Sequence, residues 1–287
     1  MKTIKFHSHL SIHFVDAMIK RCNELSETKD EVTLDFSNVL SIKPFAISLL
    51  YHSIKQYFRN FKRLYIIEPR SQGTREYLKS SGFYGQATTR KLNRTTFELT
   101  PISKHYEQKV LEYLEIIKDQ VPYLHDNILF ITQLCMNELT TNVKDHSESP
   151  FGCVVCGQIY SKKKQIHISI SDYGIGFLNS LLTVKKDLSN DIEAIKTAVE
   201  TQVTTRKQAV GGMGLQHIKV GILNVNGNVS YLSGLGMVTY EKQKKKTRRI
   251  VKKLTAYVKG VTIYIIIPLV YTDEQTLFEE ISDDLFN

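Results

Sequence analysis

The chain has 287 residues, 42% of them hydrophobic and 23% charged, with no tryptophan and a formal net charge of +9. That composition suits one large globular domain or two smaller ones. No run of about 18 apolar residues offers a membrane span, and "MKTIKFHSHLSIHF" has neither the apolar core nor the cleavage site of a secretory leader, so a cytoplasmic protein is expected.

In chain order, "IKFHSHL" alternates apolar and polar residues, as a half-buried strand does, and Ser11 to Glu27 reads as a helix. "VTLDF" is a compact apolar strand. "PFAISLLYHSIKQYF" opens a helix with Pro44 in its favoured first turn. "LYIIE" is a third strand, and "SQGTREYLKSSGF" is a short helix ended by Gly82. Strands alternating with helices of this length predict a small α/β domain over residues 1–92. The polar stretch "GQATTRKLNRTT" makes the boundary with a second domain, 93–287.

Two helices open that domain, one from about Lys104 to Gln120 and one containing "LCMNELTTNVKDHS". The strands "FGCVVCGQIY" and "QIHISISD" follow, joined by the turn "SKKK". A polar and helical region leads to "GGMGLQHIK", and "GNVSYLS" and "GVTIYIIIP" are strands near the end. Helices before and between antiparallel strands predict an α/β (α+β) sandwich with a mixed, mostly antiparallel sheet.

Four cysteines fit a reducing compartment better than a disulfide framework. Cys153 and Cys156 form a C-x-x-C, but on a strand positions i and i+3 point to opposite faces. They are expected to be packed thiols rather than metal ligands. The segment Lys242 to Lys253 holds eight basic residues and no acid, leaving only +1 of the +9 for the rest of the chain. It lies between strand-like runs without interleaved aromatics, so a solvated hairpin is favoured over nucleic-acid binding.

The chemistry concentrates in three segments. Glu138, Asn142 and His146 are spaced by four, so a carboxylate, an amide and an imidazole share one helix stripe. "DYGIG", Asp172 to Gly176, ends a strand. "GGMGL", Gly211 to Leu215, runs into a helix, where glycines let backbone N–H groups approach phosphate oxygens. Neither a P-loop nor a dinucleotide fingerprint is present.

The order and spacing of these boxes resemble the GHKL nucleotide-binding family, over roughly Thr95 to Leu269 and including "GVTIYIIIP". That resemblance implies ATP and Mg²⁺ as cofactors. Asn142 would hold the metal that bridges the phosphates, and Glu138 would be the general base. Asp172 would accept the adenine amine, with Gly174 and Gly176 leaving room beside the base. Gly212 and Gly214, with Leu215 after them, would cradle the phosphates, and Asp145 and His146 would lie near them. Thr204, Thr205 and Arg206 fall where a lid would close, with Arg206 either stabilising phosphoryl charge or exposed to water. Two departures stand out. Asp145 fills a slot where some relatives carry lysine, and Gly260-Val261-Thr262 replaces a more usual Gly-Thr, so that the adenine contact expected of Thr262 is lost or shifted by one residue.

"VTLDFSNVLSIKPFAISLL" resembles the STAS fold, over about Met1 to Lys91. Pro44 and Phe45 occupy its phospho-acceptor positions and neither has a hydroxyl, which implies a docking or sensing module; a generic α/β domain is the alternative. The histidine-kinase subtype is not expected, since Lys104–Gln120 is short for a dimerisation helix and His105 and His125 lack its H-E-x-x-x-P context. Three functions remain open: a serine/threonine kinase of the anti-sigma type or slow ATPase, a nucleotide-gated protein-interaction switch without turnover, and a DNA-associated ATPase using Lys242–Lys253. ATP and a regulatory protein are the expected partners, with a homodimer as an open arrangement and no membrane.

Overall fold

The computed structural model describes residues 1–60, 63–84, 96–102, 106–201, 214–243 and 246–269. Strands β1 (Lys2–Lys5), β3 (Val32–Asp35) and β5 (Leu64–Ile67) form a parallel sheet in the order β1-β3-β5, beside a short parallel pair of β2 (His9–Leu10) and β4 (Ser41–Ile42). Parallel pairing needs crossovers, supplied by α1 (Val15–Glu27) and α2 (Pro44–Asn60). Helix α3 (Gln72–Ser80) is capped by Ser71, and Gly82 beyond it takes φ +74, the left-handed conformation that closes a helix.

The second sheet has five strands in the order β6-β7-β8-β10-β9: β6 (Thr96–Ile102), β7 (Cys153–Tyr160), β8 (Gln165–Asp172), β9 (Asn228–Gln243) and β10 (Lys246–Pro268). Every described pairing in it is antiparallel, so the described parallel pairings are confined to the two N-terminal sheets. The α/β architecture expected from the sequence is the one observed. β6, whose alternating "TFELT" adjoins the polar stretch read as a boundary, is an addition; its Pro101 sits on an edge strand, where the missing N–H is tolerated.

One face of this sheet is covered by α4 (Tyr106–Gln120), α5 (Asp126–His146) and α8 (Gly214–Asn224). There Ile131, Cys135 and Leu139 of α5 bury against Ile168 and Ile170 of β8 and Ile263 and Ile265 of β10. The other face is covered by the N-terminal part of the chain. Val154, Cys156, Leu232 and Tyr264 share one core with Met18, Phe45 and Leu49. Helix α2 therefore lies between two sheets, and Pro44 to Leu50 are all buried. Seven successive buried residues close the helix in on all sides over its first two turns, as such a central position requires.

Cys153 and Cys156 part as strand alternation demands: Cys153 enters the helix-side core and Cys156 the N-terminal one. Burial pushes both thiols up to about 12, which leaves them inert. Among the described residues no cluster of three His, Cys, Asp or Glu could hold a metal ion, and no helix is long and apolar enough to cross a membrane.

The basic run belongs to a two-stranded ribbon that extends beyond the sheet, paired from Lys246↔Gln243 to Lys253↔Gly236. Its cations divide between neighbours. Lys252 Nζ lies 2.6 Å from Asp16 of α1, Arg249 2.6 Å from Glu200, and Arg248 3.3 Å from Glu241. Asp16 also accepts from the Thr255 N–H at 2.7 Å and the Thr255 hydroxyl at 3.1 Å, so one carboxylate pins α1 to the ribbon. Asp16→Ala should lower stability by about 1–2 kcal/mol, whereas Lys242→Gln and Lys246→Gln, at exposed positions, should stay within about 0.5 kcal/mol of wild type. Thermal denaturation of the three variants separates these outcomes.

Candidate functional site

Helix α5 begins at a cap in which His125 Nδ1 accepts from the Asn127 N–H at 3.2 Å. One face buries Cys135, Met136 and Leu139, which turns Glu138, Asn142 and His146 to the other side. All three are half-buried, while Asp145 beside them is exposed. The helix ends at Ser147, whose hydroxyl donates to the Val143 carbonyl at 2.6 Å.

Ser147 joins this helix to the end of β8. Its carbonyl accepts from the Ile175 N–H at 2.8 Å, and Ser149 Oγ accepts from the Tyr173 N–H at 3.1 Å. Gly174 passes so close that a Cβ there would lie 2.6 Å from the Ser147 carbonyl carbon and nearer still to its oxygen. Gly260, at φ +75, approaches from β10, where a Cβ would fall 2.5 Å from the Asp172 carbonyl oxygen. Asp172 is thus walled by two glycine backbones, and only 3% of it is exposed.

The Asp172 carboxyl accepts from the Gly174 N–H at 2.8 Å. Burial raises it from the ordinary 3.8 to about 7, against the lowering effect of the Gly174 and Val261 amides. Gly176, at φ +79, starts α6 (Gly176–Leu182). Ser233 Oγ accepts from the Phe177 N–H at 3.1 Å and donates to the Gly260 carbonyl at 3.0 Å, which ties that turn to the closing strands.

The other end of the stripe meets α8. Gly214 is its first residue, and a Cβ there would collide with the Glu138 carboxylate. Glu138 therefore rests against the first turn of α8, where unpaired N–H groups and the helix dipole favour negative charge. Leu215 is half-buried against the core, and its carbonyl accepts from the Tyr231 hydroxyl at 3.4 Å. Two amide heads on the facing helices are left over. Asn142 Nδ2 and Gln216 Oε1 are buried with no hydrogen-bond partner among the described residues. From Glu138 to Ser147 the helix advances nine residues, roughly 14 Å at 1.5 Å per residue.

The structure thus brings Glu138, Asn142, Asp172, Gly174, Gly176 and Gly214 onto one continuous path along α5, with His146 and Asp145 at its last turn. Thr204, Thr205, Arg206 and Gly212 lie outside the described residues. Thr262 is a correction. On β10 Ile263 faces the helix-side core, so Thr262 faces the opposite side, where its hydroxyl lies 2.8 Å from Ser171 Oγ. Val261, partly buried against the helix-side core, takes the Asp172 face instead. The extra residue after Gly260 accounts for the exchange, because a shift of one reverses a strand's faces. Val261, Gly260, Ser147 and Gln216 carry no motif that singles them out in the sequence. Gln216 has a local signal, an amide in the first turn after a glycine-rich stretch; the other three act through backbone atoms, which no side-chain motif records.

Chemically, the path offers a buried carboxyl walled by glycine backbones, then an amide, then a carboxylate at a helix N-terminus. The amide oxygen and nitrogen occupy equivalent positions. The Asn142 head can therefore donate to a phosphate oxygen or, turned over, offer its oxygen to a hard cation that keeps most of its other ligands as water or phosphate. An orphaned buried amide fits a magnesium–phosphate group in either orientation.

No family model matches the sequence, and no curated protein matches it. Similar solved structures include the B-subunit of DNA gyrase from Myxococcus xanthus, with a TM-score of 0.30, 7% identity, and cover of 61% of this chain and 47% of that chain. Another is the ATP-binding domain of topoisomerase IV from Francisella tularensis in complex with a small-molecule inhibitor, with a TM-score of 0.26, 11% identity, and cover of 52% of this chain and 39% of that chain. This chain spans less than half the length of either.

Proposed function

We propose that the chain binds ATP with Mg²⁺ in the manner of the GHKL family and acts as a regulatory protein. The observation that carries this reading is the path itself: a walled carboxyl at Asp172, joined through Ser147 to the helix that presents Asn142 and Glu138, and ending at Gly214. Asp172 would accept the amine of the base; the space beside Gly174 and Gly176, expected to admit the ring, is taken up by Ser147 and Ser233, so the ring would approach the carboxyl from another side. Asn142 would hold the metal, which when bound supplies positive charge across the phosphate oxygens. Glu138 would orient or deprotonate a nucleophile, and the start of α8 would face phosphate.

Two readings of the outcome follow from Glu138. With turnover the protein is a slow ATPase or a serine/threonine kinase; without it, nucleotide binding would change the surface that a regulatory protein meets. The ribbon favours neither, and because three of its cations are paired with acids, a DNA-associated role is not favoured. The N-terminal part, with Pro44 and Phe45 buried at the start of α2, is read as a STAS-like docking module.

Calorimetric titration of the full chain with ATP and Mg²⁺ tests the reading. Asn142→Ala should weaken binding about 10- to 100-fold, the loss of one hydrogen bond to a charged group. Glu138→Ala should keep binding and, if labelled phosphate is released or transferred by the wild type, reduce that rate by about 10²–10⁴. Absence of any nucleotide uptake by folded wild-type protein removes the proposal; tight uptake with no labelled product leaves the switch.

A further inference from the structure

Asp172 is flanked by two residues that turn the other way. On β8, Ile166, Ile168 and Ile170 enter the helix-side core, so Ser169 and Ser171 face the N-terminal part of the chain. In a free sheet those serines would meet water. Here α2 covers them, and it does so with polar groups in register: Ser48 Oγ lies 2.7 Å from Ser169 Oγ, and His52 Nε2 lies 2.8 Å from the Ser171 carbonyl oxygen.

The chemistry of the second contact is fixed by its partner. A carbonyl only accepts, so Nε2 carries the proton and donates. His52 is 2% exposed, and burial lowers it to about 4, which keeps the ring neutral and leaves Nδ1 a bare lone pair. That Nδ1 has no partner among the described residues. A buried imidazole with half its bonding capacity idle is a poor choice for packing alone. Its ring also lies nearly parallel to Tyr173, the residue after Asp172, with centroids 5.9 Å apart and planes at 27°. One residue of α2 therefore meets both neighbours of Asp172, the carbonyl before it through a hydrogen bond and the ring after it through stacking.

We propose that His52 is a positioning residue for the slot at Asp172, and that nucleotide affinity and base preference depend on its hold on Ser171 and Tyr173. This rests on the reading of Asp172 as the base-binding carboxyl. The N-terminal module is then a structural part of the nucleotide site, and anything that shifts α2 shifts the slot.

The test is calorimetric titration of the full chain with ATP–Mg²⁺ and with GTP–Mg²⁺. His52→Phe keeps a ring against Tyr173 and removes the N–H; His52→Gln restores an N–H near the Nε2 position. His52→Phe should weaken ATP binding about tenfold, the loss of one buried hydrogen bond, and narrow the preference for ATP over GTP, and His52→Gln should recover most of both. ATP affinity and base preference unchanged in His52→Phe, or equally weak in both variants, overturn the role of His52 alone. Should His52→Phe not fold, Tyr173→Leu removes the stacking from a half-exposed position; it should weaken ATP in the same direction, and wild-type affinity there overturns the proposal. No nucleotide uptake by the wild type overturns the parent reading, and this one with it.

Discussion

Asp172→Asn is expected to make the protein more stable than wild type above neutral pH while weakening nucleotide binding. Burial raises the Asp172 carboxyl from 3.8 to about 7 in the folded protein. The folded state then holds a proton that the unfolded chain releases between those values. The contribution to stability is complete below about pH 4 and is lost as pH rises through about 7. The gap between the folded and unfolded values corresponds to something on the order of 4 kcal/mol. An asparagine cannot ionise, so the variant lacks this loss. The gain at pH 8 is smaller than the full figure, because the amide oxygen can satisfy the Gly174 and Val261 amides less well than a carboxylate.

Buried histidines act in the opposite sense over part of this window. Burial lowers His52 to about 4 and His167 to about 3, so both contribute stability that is lost as pH falls below about 6.5. The informative quantity is therefore the difference between variant and wild type, read from urea midpoints at pH 5, 6, 7 and 8. That difference should move in favour of Asp172→Asn as pH rises and level off above about 7. A difference independent of pH shows that the carboxyl titrates normally, and the walled slot is then wrong. Binding moves the other way, since ionised Asp172 is the stronger acceptor. The same burial that suits the carboxyl to a base therefore opposes folding at the pH where the base is bound.

The sequence is most legible where structure is local. The four-residue spacing of Glu138, Asn142 and His146 places them on one side of α5, because helical periodicity needs no tertiary information. Strand alternation likewise predicts the separation of Cys153 and Cys156. Elements whose environment comes from distant chain are less legible. The strand "QIHISISD" does not say what covers its serines, and Ser169 meets Ser48 from 121 residues away. Helix α2 reads as an ordinary helix following Pro44, but its place between two sheets depends on contacts with β7, β8 and β10. Thr262 fails for a different reason. Its residue type suits the site, but one extra position after Gly260 puts it on the wrong face. The walls of the Asp172 slot are made of backbone, and a glycine in a string of letters does not say what presses against it.

Gly174→Ala tests that last point directly. A Cβ at this position would lie 2.6 Å from the carbonyl carbon of Ser147, closer to its oxygen, and 2.9 Å from Asp172 Oδ1. The first obstacle is backbone at the end of α5, so no side-chain rotation relieves it; either α5 or the turn after β8 must move. Overpacking of this kind costs about 3 kcal/mol or more, a fall in Tm of roughly 5 °C for a chain of this size. Movement there also breaks the bond from the Ile175 N–H to Ser147, which is the joint between the Asp172 slot and the helix bearing Asn142, so nucleotide binding should be lost along with stability. Gly73→Ala is the control. That glycine lies within α3 with nothing within 4 Å of an added Cβ, and alanine there should raise stability by about 0.5–1 kcal/mol through its better helix propensity. Calorimetric melting of the two variants beside wild type should shift Tm in opposite directions. A Gly174→Ala protein that melts and binds like wild type means the turn after β8 stands further from α5 than the Ser147 contact places it, and the path from Asp172 to Asn142 is then interrupted at its middle.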